Sequence, residues 1–317
     1  MKNYLNFESE IKNLEVELDK LKDPYNQEGL SEVDTQNITK LKNEIDTKLK
    51  DIYSSLDPWQ TTLVARHEDR PKAKYFIDNL FEDFISLSGD RFYGEDQSVI
   101  CGFAKFENKS VLVIGQEKGE NLETRIERNF GMASPSGYKK AVRLMKLADK
   151  FKIPVISFID TPGADPKVSS EERGQAEAIA RSIECCMELT VPTISIIIGE
   201  GGSGGAIALA TADIVMMLEN SIYSVISPEG CASILWRNND ASQNAAESLK
   251  LTAQECLRLK VIDEIVSETH GGAHRFKEEQ YIILKEILIN NLKKLITIKK
   301  ENLVYQRNQK FLKITTI

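Results

Sequence analysis

Short apolar runs alternate with helical patterns from about residue 99 onward, and this alternation constrains the fold more than any other feature of the chain. The runs are rich in β-branched residues and lack polar alternation, which is typical of strands covered on both faces. They occupy residues 111–114, 153–159, 193–198, 214–218 and 223–226. Helical spacing of apolar residues covers 137–151 and 171–189. The sequence therefore predicts an α/β domain with a largely parallel sheet.

Both ends of the chain predict helices rather than strands. Apolar residues recur at spacings of three and four over 7–21 and 38–56, with a break at 24–29, so the front predicts a helical hairpin. From about Glu278 the spacing is helical again. The expected parts are a helical hairpin at 1–60, a central α/β domain at 61–275 and a carboxy-terminal helical extension at 276–317. The charged face of the hairpin fits either a solvated surface or a docking surface for another subunit.

Composition and charge argue against several classes of protein. The formal net charge of −7 disfavours binding to nucleic acid, which rewards clustered Lys and Arg. There is no stretch of about 18 apolar residues and no apolar run at the amino terminus, so we expect a cytoplasmic protein without membrane spans. The five cysteines form no C-x-x-C pair and there are only three histidines, so we expect no zinc site in this chain.

The most glycine-rich loop in the sequence is GEGGSGG at residues 199–205, between an apolar run and a helical pattern. Glycines let backbone N–H groups approach a ligand with no side chain between them. The amino terminus of the following helix adds partial positive charge. The loop therefore predicts a pocket for an anion or a developing oxyanion. The alternative interpretation is a tight strand-to-helix turn without a ligand.

Two catalytic or binding motifs also match this loop. A G-x-G-x-x-G pattern fits the dinucleotide fingerprint, with Glu219 near the acidic position, although the segment before the next apolar run is short for a crossover helix. A G-x-S-x-G pattern centred on Ser203 fits the nucleophile elbow of hydrolases, with Asp263 and His274 following in the usual order. A phosphate-binding P-loop is excluded because no Lys-Ser/Thr pair ends the glycine run.

Three other segments combine glycine or proline with polar residues beside predicted strands, at 115–119, 160–166 and 227–232. At one edge of a parallel sheet, such loops suit a large ligand with a flexible arm. Lys118, Arg128 and Arg173 are candidate contacts for an anionic substrate, and each also fits an ordinary surface or salt-bridge residue. No pair of carboxylates has a spacing that indicates a dedicated acid/base couple.

Six segments in a fixed order carry a resemblance to a known family. They are RNFGMASPSGYKKAVRLMKLADKF, PVISFIDTPGADP, EERGQAEAIAR, VPTISIIIGEGGSGGAIALA, SVISPEGCASILW and GGAHR. Together they resemble the alpha subunits of acetyl-CoA carboxylase carboxyltransferases over nearly the whole chain. The resemblance implies an α/β, crotonase-like (ClpP/crotonase) fold of repeated ββα units, with an N-terminal helical hairpin and a C-terminal helix. Residues 61–275 would then be the carboxyltransferase domain.

The resemblance also implies a reaction and a set of partners. With a beta subunit, the chain would transfer the carboxyl group of carboxybiotin on the biotin carboxyl carrier protein to acetyl-CoA. The product is malonyl-CoA for fatty acid synthesis, and biotin carboxylase belongs to the larger complex. Zinc is expected on the beta subunit, and no cofactor is expected to be bound covalently to this chain. A tetramer of two alpha and two beta chains is implied.

Site residues are carried over by position from the same resemblance. The backbone N–H groups of Gly204 and Gly205 match the family's oxyanion donors for the ureido oxygen of departing biotin. The released biotin is itself a plausible base for the acetyl methyl group. The candidate contacts on the carboxybiotin side are Gly163, Ala164, Gly201, Gly202, Ser203, Lys118 and Arg173.

Some positions depart from the family pattern while the oxyanion loop is intact. The departures are Gln116 for histidine, Glu117 for glutamine, Ser136 for glutamate, Asp165 for tyrosine, Lys167 for glycine, and Ala210 and Ala212 where glycines are common. A divergent but active enzyme is the expectation. The alternatives are a divergent assembly subunit with little activity and a serine hydrolase that uses Ser203.

Overall fold

The computed structural model describes residues 3–22 and 35–314, so the predicted break at 24–29 lies outside the described residues. The strands in these ranges are β1 (Glu82–Ser86), β2 (Val99–Phe106), β3 (Lys109–Gln116), β4 (Val155–Thr161), β5 (Thr193–Gly202), β6 (Ile214–Leu218), β7 (Ile222–Ser224) and β8 (Glu264–Val266). The helices before β4 are α1 (Ser9–Lys22), α2 (Thr35–Tyr53), α3 (Pro58–Ala65), α4 (Ala73–Leu80), α5 (Leu122–Glu127) and α6 (Pro135–Phe151). The later helices are α7 (Val168–Glu172), α8 (Gln175–Glu188), α9 (Ser203–Ala210), α10 (Pro228–Leu235), α11 (Ser242–Leu249), α12 (Ala253–Arg258), α13 (Lys277–Ile296) and α14 (Lys300–Lys313).

The strands form one mixed sheet in the order β1-β2-β3-β4-β5-β6-β8, and β7 pairs with the end of β5. The first three strands are an antiparallel meander, whereas β3, β4, β5, β6 and β8 run parallel. Helices connect the parallel strands, as the alternating pattern predicts. Parallel neighbours place their carboxyl ends at the same edge, which brings the loops after β3, β4 and β5 together.

Alternate residues of the central strands point into two apolar layers. Ile159 and Ile197 face the layer formed by α6, α8 and α9, while Phe158 and Ile196 face the layer formed by α4 and α13. Every residue of β4 and β5 is buried, which explains why these runs show no polar alternation.

The helical hairpin at the front packs on itself and is joined to the body by ion pairs. Ile11 and Leu49 are buried between α1 and α2. The Arg275 guanidinium lies 2.7 Å from the Glu8 carboxylate and 3.1 Å from that of Glu15. Tyr53 donates a further hydrogen bond to Glu8 at 3.0 Å. The segment after β8 therefore anchors the hairpin to the sheet.

Two predicted helices are each divided in the structure. The pattern over 171–189 covers the end of α7 and the whole of α8, which are separated at Gly174. The φ of Gly174 is +79°, a left-handed conformation that glycine adopts readily. The single helix predicted for the tail is instead α13 and α14.

The last helix, α14, is attached to the sheet domain through one buried arginine. Arg307 is 1% exposed and pairs with Asp213 at 2.9 Å. It also donates to the Cys186 carbonyl in the last turn of α8 and to the carbonyls of Leu189 and Val191 just after that helix. Across the described residues, no helix is long and apolar enough to span a membrane.

Candidate active site at the carboxyl ends of the strands

The glycine segment is partly strand and partly helix, not a free loop. β5 continues through Gly202, and α9 begins at Ser203, which has a φ of +51°. The first N–H groups of a helix lack partners within the helix, and Gly202 provides no side-chain cap. A side chain at Gly204 would meet only Ile179, at 3.5 Å, so space is open at this position. The first turn of α9 therefore offers backbone donors to an anion.

The loop after β4 presses directly against this turn. A Cβ atom on Gly205 would lie 2.5 Å from the Gly163 carbonyl carbon and 2.7 Å from the Ala164 nitrogen. A Cβ atom on Gly202 would lie 2.2 Å from the Pro162 carbonyl oxygen. The predicted contacts Gly163 and Ala164 thus lie against the first turn of α9, and these close backbone contacts explain why glycine is needed at positions 202 and 205.

Gly201 occupies a different environment from the other glycines of the segment. It pairs with Tyr223 of β7, and a Cβ atom there would lie 2.9 Å from the Tyr223 ring. The structure therefore packs Gly201 against β7.

A network of charges fixes the strand ends below the turn. The Lys118 ammonium lies 2.9 Å from Asp160 and 3.1 Å from Glu200. Glu200 also accepts from Arg66 at 2.6 Å, and Arg66 reaches Glu229 at 2.6 Å. Burial disfavours the Lys118 charge, but the two carboxylates outweigh burial and hold its pKa above the ordinary value. The positive charge of Lys118 is therefore balanced by carboxylates of the same chain.

Glu200 is held ionised by the same network. Burial alone would raise its pKa, but the charges of Lys118 and Arg66 outweigh burial and lower it. Sequence reasoning did not single out Arg66, Asp160 or Glu200 as site residues. Arg66 and Glu200 are 134 positions apart, so no local pattern could reveal their contact. The one available signal was the position of Asp160 and Glu200 at the ends of predicted strands.

Gln116, at the end of β3, contacts α9 directly. Its side-chain amide donates to the Gly205 carbonyl at 2.7 Å, and the residue is fully buried. Among the described residues, its side-chain oxygen has no hydrogen-bond partner. Gln116 thus supplies a side-chain donor to the first turn of α9.

Asp165 and Lys167 form the charge pair that their sequence positions suggest. The Lys167 ammonium lies 4.0 Å from Asp165, which accepts a hydrogen bond from the Ser170 hydroxyl at 2.6 Å. Arg173 lies apart from this pair and places its guanidinium 5.1 Å from the centre of the Tyr93 ring. Arg128 donates to the Gln97 carbonyl at 2.6 Å. In the described chain, both arginines therefore contact the segment before β2 rather than the glycine turn.

The residues of the hydrolase alternative are not assembled around Ser203. Asp263 pairs with Lys310 and accepts from the Val215 N–H. His274 is buried and stacks on His67 with ring centroids 4.0 Å apart. Within the described ranges, no histidine is hydrogen-bonded to Ser203, so the structure gives the nucleophile no base.

Acid pH is expected to destabilise the fold through His274. Burial, the neighbouring His67 and Arg70, and then Arg275 and Lys277 lower the pKa of His274 from 6.5 to about 2. The unfolded chain then binds the proton more readily than the folded chain, so stability falls as pH drops below about 6.5. From pH ~6.5 to ~5, we expect the His274 imidazole to account for a loss of about 2 kcal/mol in unfolding free energy.

Urea unfolding at pH ~7 and ~5 measures this effect. His274→Phe keeps an aromatic ring for the stack but cannot take up a proton, so its stability should depend less on pH. His270→Phe is the matched control because His270 is exposed. Equal pH dependence in His274→Phe and the unsubstituted chain would contradict the assignment.

The described residues contain no group of three or more His, Cys, Asp or Glu side chains that could hold a metal ion. The five cysteines are free and buried. Burial raises the pKa of the Cys186 thiol to about 12, which disfavours the reactive thiolate.

Comparison with known sequences identifies close relatives over the full described length. The family model described as acetyl co-enzyme A carboxylase carboxyltransferase-like matches residues 4–315. The chain is 67% identical over 314 residues to the acetyl-coenzyme A carboxylase carboxyl transferase subunit alpha of Pelagibacter ubique, covering 99% of this chain and 85% of that protein. It is 51% identical to the subunit of the same name from Brucella anthropi, covering 99% of both.

Solved structures with a similar fold are more distant in sequence. The transcarboxylase 12S chain gives a TM-score of 0.60 at 17% identity, covering 74% of this chain and 44% of that chain. The beta subunit of geranyl-CoA carboxylase from P. aeruginosa gives a TM-score of 0.55 at 14% identity, covering 80% and 45%. This chain thus spans less than half the length of either. At these identities the likeness shows the fold alone, and it confirms the predicted crotonase-like architecture.

Proposed function

Because this chain belongs to the family of acetyl-CoA carboxylase carboxyltransferase alpha subunits, we propose that it transfers carboxyl groups from carrier-borne carboxybiotin to acetyl-CoA. The product is malonyl-CoA, and the site is shared with a beta subunit that supplies the CoA side and carries zinc. The observation that carries the proposal is the open first turn of α9, where the backbone at Gly204 and Gly205 provides donors without a side chain. The biotin carboxyl carrier protein and biotin carboxylase are the further partners, in the cytoplasm.

The geometry suits stabilisation of a departing ureido group. When the N–C bond to the carboxyl group breaks, the electron pair remains on the ureido group and negative charge develops on its oxygen. N–H groups at Gly204 and Gly205 can donate to that oxygen, and preorganised donors of this kind are worth about 2.7–4 kcal/mol each in barrier height.

The acceptor carbon needs a base, and the charged residues below the turn do not supply a free one. Lys118, Asp160 and Glu200 are paired with one another. The released biotin nitrogen therefore takes the proton from the acetyl methyl group, and the new C–C bond forms between that carbon and the carboxyl group. The chain contributes orientation and charge stabilisation rather than acid/base chemistry.

The remaining candidate contacts follow the same arrangement. We assign the carboxybiotin side to Gly163, Ala164, Gly202 and Ser203 around the turn, and Gly201 and Lys118 support it from the strands beneath. Arg173 enters the proposal only as a rim residue, because its guanidinium lies over Tyr93. The hairpin at 1–60, the catalytic domain at 61–275 and the extension at 276–317 are the proposed domains.

Malonyl-CoA formation should require both subunits. The purified chain and its own beta subunit are assayed separately and together, with acetyl-CoA and carboxybiotin as substrates. We expect turnover only in the mixture, because this chain holds the ureido side alone. A mixture that forms a stable complex without turnover would contradict the proposal and favour an assembly subunit. Turnover by this chain alone would contradict a shared site.

A further inference from the structure

A short segment beside the site has an unusual backbone conformation. Asn129, Phe130 and Gly131 follow one another with φ values of +46°, +55° and +81°. Glycine adopts this left-handed region freely, but a bulky residue such as phenylalanine does so at a cost. Such strain persists only where the surrounding structure enforces it, and it is concentrated at functional sites.

Specific contacts hold this strained turn in place. The Asn129 side chain donates to the Met132 carbonyl at 2.9 Å and accepts from the Lys167 ammonium at 2.9 Å. A Cβ atom on Gly131 would lie 2.7 Å from the Lys118 side chain and 3.0 Å from the Asp160 carbonyl oxygen. The turn therefore rests on the charge network that fixes the strand ends.

The turn also adjoins the loop that presses against α9. Two residues beyond Gly131, the Ala133 carbonyl accepts from the Asp165 N–H at 3.0 Å and from the Gln175 side chain at 2.8 Å. Asp165 directly follows Gly163 and Ala164, whose backbone meets Gly205. The strained turn and the first turn of α9 thus both adjoin the loop after β4.

Burial does not compensate for the strain at Phe130. The Phe130 side chain is 45% exposed, so much of the ring remains in solvent. The folded chain therefore carries the free-energy cost of this backbone conformation without gaining full burial of the Phe130 ring. A ligand that covers the ring would supply the missing stabilisation.

We propose that Phe130 is an aromatic platform for the apolar ring system and aliphatic arm of carrier-borne biotin. The inference rests on the proposed function and extends it by naming a specificity residue for the ureido substrate. The platform would hold the ring system and arm at the rim while the ureido oxygen reaches the first turn of α9. Phe130 acts by positioning, because no proton or bond is transferred at its ring.

Biocytin, which is biotin linked to lysine, is the probe for this site in the complex with the beta subunit. Its affinity is measured by titration calorimetry, and its KM is measured as carboxyl acceptor with malonyl-CoA as donor. We expect Phe130→Ala to raise the Kd and the KM for biocytin by about tenfold and to leave the KM for malonyl-CoA unchanged. Phe130→Tyr keeps the ring and should restore binding.

Phe130→Gly separates the functional role from a structural one. Glycine relieves the left-handed strain, so this variant should unfold at an equal or higher temperature while binding biocytin as poorly as Phe130→Ala. Phe151→Ala is the matched control, because Phe151 is also an exposed phenylalanine, with 61% of its surface accessible. It is the last residue of α6, about 25 Å along the helix from Pro135, the end that follows Phe130 in the chain. Phe151→Ala should leave both substrates unaffected.

Unchanged biocytin affinity in Phe130→Ala and Phe130→Gly would overturn the inference. Weaker assembly with the beta subunit at unchanged biocytin affinity would assign the ring to a protein contact instead, and would also overturn it. If the unsubstituted complex fails to transfer carboxyl groups, the proposed function fails. The calorimetric titration still decides the role of Phe130 in that case.

Discussion

Replacing Gly205 by alanine is expected to lower malonyl-CoA formation at least about a hundredfold, the scale of losing one oxyanion donor. The added methyl group would lie 2.5 Å from the Gly163 carbonyl carbon and 2.7 Å from the Ala164 nitrogen. Neither backbone atom can move without shifting the loop after β4 away from the first turn of α9. The measurement is kcat and KM of the complex with the beta subunit.

Gly204→Ala is the matched control for this prediction. Its methyl group would meet only the Ile179 side chain, at 3.5–3.7 Å, which is ordinary contact. Alanine also stabilises a helix by about 1 kcal/mol relative to glycine, and this gain is the same in both variants. The two variants therefore differ only in the steric overlap of the added methyl group. A large loss in Gly204→Ala together with near-normal activity in Gly205→Ala would contradict this arrangement of the two loops. A bulky residue at Gly204 should reduce activity while sparing assembly, because it would fill the open space at the donors.

Replacing Arg70 by methionine is expected to lower the free energy of unfolding by about 3–5 kcal/mol, a large part of the stability of an ordinary domain. Arg70 and Glu268 form an ion pair whose side chains are 1% and 0% exposed. Arg70 also donates to the Ile198 carbonyl at 2.7 Å, just before the glycine end of β5. Without the guanidinium, the Glu268 carboxylate would be left buried without its counter-charge. Urea unfolding monitored by circular dichroism gives the value.

The double variant Arg70→Met with Glu268→Gln tests whether the stranded charge causes the loss. Burial raises the pKa of Glu268, but Arg70 outweighs burial and lowers it, so the pair is coupled. The neutral amide should recover part of the lost stability, since it removes the buried charge and its single oxygen can still accept from the Ala273 N–H. If the double variant is no more stable than Arg70→Met alone, the loss arises from packing rather than charge.

The sequence predicts the central layers well because their signal is local. Continuous apolar runs give β4, β5 and β6, since strands covered on both faces need no polar residues. Strand β1 was not predicted, because it is almost wholly exposed at the edge of the sheet and carries little apolar signal. Both halves of the tail look alike in spacing, so the break between α13 and α14 has no strong local marker.

The candidate site is only partly readable from the sequence. The glycine run indicates the donors at Gly204 and Gly205, but not that β5 extends to Gly202. That extension depends on pairing with β7 and on close contact with Pro162. The charge network around Lys118 joins residues far apart in sequence, and only the three-dimensional structure shows that Arg66 belongs to it. The left-handed backbone conformation of Phe130 has no signal in the residue pattern, because phenylalanine rarely adopts it.

The burial of Arg307 has a consequence for how this protein is made. Its guanidinium bonds to Asp213, 94 positions earlier in the chain, and to the Leu189 carbonyl, 118 positions earlier. Domains form during synthesis as their segments emerge, at about 5–20 residues per second. Because Arg307 lies in α14, these bonds form only after α14 has been synthesised. Until then, the Asp213 carboxylate and the carbonyls of Leu189 and Val191 lack the buried partner that they have in the folded chain.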